Sequence, residues 1–211
     1  MIKKILMMTI ALTPVTLWAQ DNTWEQPEFE QEQQVVKVKK LNPDQKYLRG
    51  AVPEVDGKVV FSTTIEVPGK SASEIYDIVH KYMTRMVSES NQINSRIAIN
   101  DTEKHELGAA MEEWLVFKSA ALALDRTRFL YTFQAFCQDG KVELKMSHLR
   151  YLYDENRNPQ RLKAEEWITD KNAVNKKNTR LYPVSAKFRR KTIDRKDFIF
   201  SKFDTLLNEK K

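Results

Sequence analysis

At 211 residues, with 30% of them charged and a formal net charge of +6, the chain suits one domain with extensions, and its charge is mixed rather than one-signed. Five scattered glycines argue against a glycine-rich phosphate loop. The single cysteine, Cys137, rules out an internal disulfide, so the fold must rest on its core.

The chain opens with Met1-Ile2-Lys3-Lys4, an apolar run over 5–18, and then Ala19-Gln20. A basic start, a short apolar segment and a small residue at the cut describe a secretory signal peptide over 1–19. The run contains Pro14 and falls short of the roughly 20 apolar residues that a membrane span needs. Cleavage after Ala19 removes Lys3 and Lys4, leaving +4 (6 minus 2) on a periplasmic or secreted chain with no transmembrane span. No cysteine stands near the cut to carry a lipid anchor.

Residues 20–57 read as a mobile N-terminal arm and linker. Asp21, Glu25, Glu28, Glu30 and Glu32 stand among glutamines, with Trp24 and Phe29 isolated, too little apolar area to offset chain entropy. The lysine-rich stretch over 35–40 fits a short edge strand, and Asn42-Pro43-Asp44 and Val52-Pro53-Glu54 read as turns.

Residues 58–153 carry the core. Val59, Phe61, Thr63, Ile65 and Val67 alternate with Val60, Ser62, Thr64 and Glu66, the period of a strand with one buried face. Pro68-Gly69 stops it, and Ser71 with Glu74 has the spacing of a capping box. Ile75, Ile78, Val79, Tyr82, Met83, Met86 and Val87 then form one apolar face over three turns. Short strands are predicted at 95–99 and 113–119, the latter with no indication of which face is buried.

The longest strand signals, 128–137 and 142–153, flank Asp139-Gly140, the sign of a two-residue hairpin turn. That turn pairs Cys137 with Val142, Ala135 with Leu144 and Phe133 with Met146, and further out Tyr131 with His148 and Phe129 with Arg150. The other face then carries Leu130 opposite Leu149 and Arg128 opposite Tyr151, an apolar patch for the C-terminal helix or a partner to cover. Cys137 falls on the core face, as a buried small hydrophobe.

Residues 154–211 read as a C-terminal helical extension. Asp154 to Pro159 form a polar turn, Trp167 anchors a single helical turn, and Tyr182-Pro183 opens a helix. Asp194 looks like a second N-cap, which predicts an interruption near 191–194. Ile199, Phe203 and Leu206 continue an apolar stripe.

Strings of ordinary residues resemble a known family. They include Tyr47-Leu48-Arg49-Gly50-Ala51-Val52-Pro53-Glu54-Val55-Asp56-Gly57, Ile65-Glu66-Val67-Pro68-Gly69-Lys70-Ser71, Leu124-Asp125-Arg126 and Tyr151-Leu152-Tyr153-Asp154-Glu155. Glu165-Glu166-Trp167-Ile168-Thr169-Asp170 and Lys187-Phe188-Arg189-Arg190-Lys191-Thr192-Ile193-Asp194 complete the set. The chain from Tyr47 onward is similar to secreted Gram-negative proteins that carry a domain of unknown function with a TBP-like fold. The resemblance implies a curved antiparallel sheet with helices on one face. It implies no activity and no functional residues, and the TBP-like label describes backbone geometry rather than DNA binding.

Chemistry is sparse. His80, His105 and His148 are far apart, with no metal-ligand spacing, and no Gly-x-Ser-x-Gly elbow occurs. Glu112-Glu113 and Glu165-Glu166 are adjacent carboxylates, a spacing that implies no acid–base geometry. The expected fold is α+β: a mainly antiparallel sheet of about five strands, an amphipathic helix on one face, and C-terminal helices. The expected function is a non-enzymatic exported module with no cofactor, metal or nucleic acid, binding a partner protein or an anionic envelope component through Lys187, Arg189, Arg190 and Lys191. The alternative is a small-molecule or lipid carrier with a cavity between helix and sheet, lined by Tyr82, Met83, Phe133 and Met146.

Overall fold

The computed structural model describes residues 42–120 and 123–209. The predicted signal peptide, the acidic segment and the predicted edge strand over 35–40 lie outside the described residues.

A small hairpin of β1 (Glu54–Val55) and β2 (Lys58–Val59) turns at Asp56 and Gly57, both at positive φ. β3 (Phe61–Glu66) follows, and Phe61, Ile65 and the flanking Val59 and Val67 are buried, as the alternation predicts. α1 (Ala72–Met86) starts on the predicted capping box. Ser71 Oγ accepts from the Glu74 N–H at 3.3 Å, and the Glu74 carboxylate accepts from the Ser71 N–H at 2.8 Å. Ile75, Val79, Tyr82, Met83 and Met86 are buried from this helix, joined by Tyr76.

β4 (Arg96–Asp101), β5 (Glu106–Ala120), β6 (Ala123–Gln138), β7 (Lys141–Tyr153) and β8 (Gln160–Lys163) complete one antiparallel sheet of six strands. Its order is β3-β7-β6-β5-β4, with β8 pairing along the end of β7. The sheet is curved and open, and the fold is α+β. Three helices follow β8: α2 (Ala164–Trp167), α3 (Asp170–Ala173) and α4 (Pro183–Asn208). Residues of β8 and α4 pack into the same apolar cluster as the preceding strands, so the segment after residue 153 is part of the core rather than an appendage.

The Asp139-Gly140 hairpin keeps the predicted register from Gln138↔Lys141 to Thr132↔Ser147. Beyond Thr132 the prediction fails. Leu130 pairs with Arg150 and Phe129 with Tyr151, because β7 carries one extra residue at this point. His148, at φ +56°, takes up that residue as a β-bulge. With a side-chain period of two, one added residue exchanges the faces of the strand. Leu149 and Tyr151, predicted on the outer face, are buried, and Tyr151 stacks on Phe129 at 5.3 Å between ring centres. His148, predicted on the core side, is exposed. Cys137 is buried, and burial pushes its thiol up to about 12.

α4 runs unbroken for 26 residues across the predicted interruption. Asp194 does not cap a helix; its carboxylate accepts from the Tyr47 hydroxyl at 2.9 Å and pairs with Lys46 at 2.6 Å. The helix inserts Phe188, Arg189, Thr192, Ile193, Ile199, Phe203 and Leu207 against the sheet and α1. Arg195 completes that face by meeting Glu113, a carboxylate that β5 places among core residues.

Residues 42–57, predicted as part of a mobile linker, are folded onto α4. Leu48 and Val52 are buried, and Arg189 ties the segment down from beneath. Its guanidinium has no exposed surface. It donates to the carbonyls of Tyr47, Leu48 and Ile168 at 2.6, 2.7 and 2.6 Å, and to Asp170 at 2.6 Å. The other oxygen of Asp170 accepts from the Gly50 N–H at 2.8 Å. Burial pulls this guanidinium below its ordinary pKa, and Asp170 opposes the shift.

Replacing His148 by valine should cost about 1–2 kcal/mol, because a β-branched residue resists left-handed φ, whereas glycine should leave stability within about 1 kcal/mol. Urea unfolding measures both. In the same assay Arg189→Ala should cost about 3 kcal/mol or more, by stranding Asp170 and three carbonyls, while Lys191→Ala stays within about 0.5 kcal/mol. Cys137 should resist alkylation in the native protein and react once denatured. Since its folded-state pKa lies above the unfolded value, the folded state keeps a proton that the unfolded state loses, and stability should decline as pH rises past about 8.5.

Candidate functional site: the open face of the sheet

The two faces of the sheet have opposite fates. Leu107, Ala109, Met111, Glu113 and Leu115 of β5, with Phe129, Tyr131, Phe133 and Ala135 of β6, lie under α1 and α4 and are buried. The positions between them, including Glu112, Trp114, Arg128, Leu130 and Thr132, are half-buried, and on β7 Arg150 is exposed.

The predicted carrier cavity falls on the covered face. Tyr82, Met83, Phe133 and Met146 are all buried, and α4 fills the space between them. Phe203 stacks on Phe133 at 5.3 Å and meets Tyr82 edge-on at 4.9 Å between ring centres. These four residues are packed core.

The predicted basic cluster is dismantled by the helix that carries it. Lys187 reaches Asp125 at 2.8 Å and the Tyr153 hydroxyl at 2.7 Å. Arg190 makes a two-pronged pair with Asp44 at 2.7 and 2.8 Å. Arg189 is the buried tie described above, with no surface to offer a partner. Lys191 alone of the four is exposed.

The polar centre of the covered face is Glu113. Its two oxygens accept five hydrogen bonds: two from Arg195 at 2.9 and 2.7 Å, and one each from Tyr131 at 3.0 Å, Asn91 at 2.9 Å and Gln92 at 2.8 Å. Burial opposes the Arg195 charge, and the bonds and charge of Glu113 outweigh it, so that guanidinium lies above its ordinary pKa. Burial first and Glu113 second push the Tyr131 phenol well up, which keeps it a donor. The Glu113 side chain is 1% exposed, so this saturated cluster holds structure rather than meeting solvent. Among the described residues no group of three or more His, Cys, Asp or Glu is placed to hold a metal ion.

The open face is where side chains remain free. Register places Trp114, Arg128, Leu152 and Arg161 in one row across four strands, and Glu112, Leu130, Arg150 and Lys163 in the next. At one end the Arg126 guanidinium lies 3.6 Å from the centre of the Trp114 ring, beside a depression of about 570 Å³ that Asn156 and Arg157 also line. Arg128 is committed, to Glu112 at 3.0 Å and Glu155 at 2.5 Å. Arg126, Arg150, Arg161 and Lys58 form no ion pair among the described residues.

Sequence reasoning placed Leu130 and Arg128 on this face but missed Trp114, Arg126, Arg150 and Arg161. A pass for alternation would have placed Trp114 and Arg126 opposite the apolar set, but Arg150 reaches the open face only through the His148 bulge. None of the described helices is long and apolar enough to cross a membrane.

Comparison with known proteins agrees with this architecture. Residues 61–152, from β3 to the end of β7, match the family model described as a domain of unknown function (DUF4468) with TBP-like fold. The crystal structure of a DUF4468 family protein from Bacteroides ovatus ATCC 8483 is similar at 43% identity and a TM-score of 0.74, over 79% of this chain and 96% of that one. A TBP-like protein from Parabacteroides distasonis ATCC 8503 shares the fold at 19% identity and a TM-score of 0.62, over 76% of this chain and 99% of that one. No curated protein matches the chain. Identity at this level over nearly the whole of the Bacteroides protein, together with the matched sheet, means that the chain belongs to the DUF4468 family.

Proposed function

We propose that the protein is an exported, non-enzymatic binding module that takes an anionic component of the cell envelope on the open face of its sheet. One observation carries this reading: among the described residues no helix covers the face opposite α1 and α4 between Trp114 and Lys163, and Arg126, Arg150 and Arg161 on that side form no ion pair there. Lys187, Arg189, Arg190 and Arg195 each sit on a carboxylate. Unpaired cations on an exposed sheet raise the local potential and draw anions toward it. The basic start and apolar run over 1–19 support export, and the sequence holds no set of residues with acid, base and stabilising roles.

The test is cosedimentation of the mature protein with its own envelope fraction. Binding should fall as salt rises, and the double reversal Arg126→Glu with Arg161→Glu should weaken it roughly tenfold or more, about 1.4 kcal/mol, while Lys191→Glu leaves it unchanged. Equal binding by the double variant would remove the open face from the reading.

A further inference from the structure

We infer that the depression at the β7 bulge is a subsite for a phosphate monoester. The inference rests on the open-face reading and names the chemical group that face recognises.

Four strands of the fold converge there. Lys58 comes from β2, Thr132 from β6, His148 and Arg150 from β7, and Lys163 from β8, with Glu165 at the rim, around a volume of about 400 Å³. The charges are lopsided. Glu165 is the one carboxylate of the lining, and it already accepts from the Val59 N–H at 3.1 Å. Lys163 has Glu166 at 3.3 Å, on an exposed pair that solvent weakens. Lys58 and Arg150, both exposed, have no carboxylate partner among the described residues.

His148 supplies an independent observation. It is a non-glycine residue held at φ +56° within a strand, a conformation with a cost that the bulge imposes. The bulge also turns Arg150 outward and exposes the imidazole. Ser147 Oγ lies 3.1 Å from Nδ1. When that hydroxyl donates, the neutral ring carries its proton on Nε2, which can then donate to a ligand oxygen.

A guanidinium, two ammonium groups, an imidazole and the Thr132 hydroxyl are more donors than a carboxylate's two oxygens can use. A phosphate monoester has a near-double charge and three terminal oxygens, which matches the number and sign of the lining groups. The depression is shallow, so it holds the phosphate and the first atoms of its bearer and leaves the remainder on the open sheet. A soluble sugar or glycerol phosphate and a lipid headgroup share this chemistry.

The experiment uses the mature full chain. Titration with glycerol 3-phosphate, followed by amide NMR, should give saturable one-to-one binding with shifts at Thr132, His148 and Arg150. Arg150→Gln and Lys58→Gln should each weaken it by about tenfold. His148→Asn, which tolerates the left-handed backbone, should weaken it less, and Lys191→Gln, on α4 and away from the open face, should bind as the parent does. All variants should keep the parent unfolding midpoint.

Vesicles carrying phosphatidic acid, set against vesicles carrying the diester phosphatidylglycerol, separate the sources. Preference for phosphatidic acid over glycerol 3-phosphate identifies a lipid headgroup, and the reverse identifies a soluble ligand. Absence of saturable binding to either monoester overturns the inference. So does binding that Lys191→Gln weakens as much as Arg150→Gln, since that describes a diffuse field. If envelope binding persists and still depends on Arg126 and Arg161 while the monoesters do not bind, the subsite falls and the open-face reading stands.

Discussion

The buried contact between Glu113 of β5 and Arg195 of α4 sets the geometry of the rest. An ion pair in a core brings little net stability, because desolvation offsets much of the attraction. Its contribution here is positional. The two-pronged bond fixes where α4 sits along the sheet and how far it is rotated about its own axis. Tyr131, Asn91 and Gln92 occupy the remaining acceptor positions of the carboxylate, so the arrangement has one satisfied state and no near equivalent.

Once α4 is locked in that phase, its other side chains have their destinations. Phe203 and Ile199 go between α1 and the sheet, which closes the volume that a carrier would need. Phe188 meets Tyr151, Tyr153 and Trp167 edge-on, and Thr192 meets the Tyr151 hydroxyl at 2.7 Å. Arg189 points into the gap beneath residues 47–48 and gathers their carbonyls. Arg190 and Asp194, on the flank, take Asp44 and Tyr47. A segment poor in apolar residues is thus fastened to the domain chiefly by charge-assisted hydrogen bonds.

This division of labour shapes the surface. Lys187, Arg189, Arg190 and Arg195 of α4 are used to hold the chain together, whereas Arg126, Arg150 and Arg161 on the strands form no ion pair among the described residues. The proposed binding role therefore rests on the sheet rather than on the helix. The open face offers rows of side chains at strand spacing, Trp114 with Arg126 at one end and the bulge of β7 at the other. Both ends combine positive charge with an apolar side chain, Leu152 at the first and Leu149 at the bulge, a mixture suited to a ligand that is anionic at one point and less polar beyond it.

Local elements were legible in the sequence because short-range chemistry decides them. The Ser71 box, the apolar face of α1, the alternation of β3 and the Asp139-Gly140 turn each depend on residues within a few positions of one another. The hairpin register held as far as the turn could govern it, to Thr132↔Ser147. The bulge left no mark in sequence, since His148 resembles any other strand residue, and only the packing of Leu149 and Tyr151 beneath α4 selects the slipped pairing. The basic run on α4 reads as a surface for the same reason: charge is visible in sequence, whereas its partners Asp44, Asp125 and Asp170 are more than a hundred residues away or brought close by folding alone. By itself the sequence determined most of the strands and helices and that their core is α+β, but it carried no sign of β8 or of the unbroken length of α4. Tertiary structure alone decided which cations are spent inside and which face of the sheet stays open, because both depend on the rotation of one helix against a sheet distant from it in the chain.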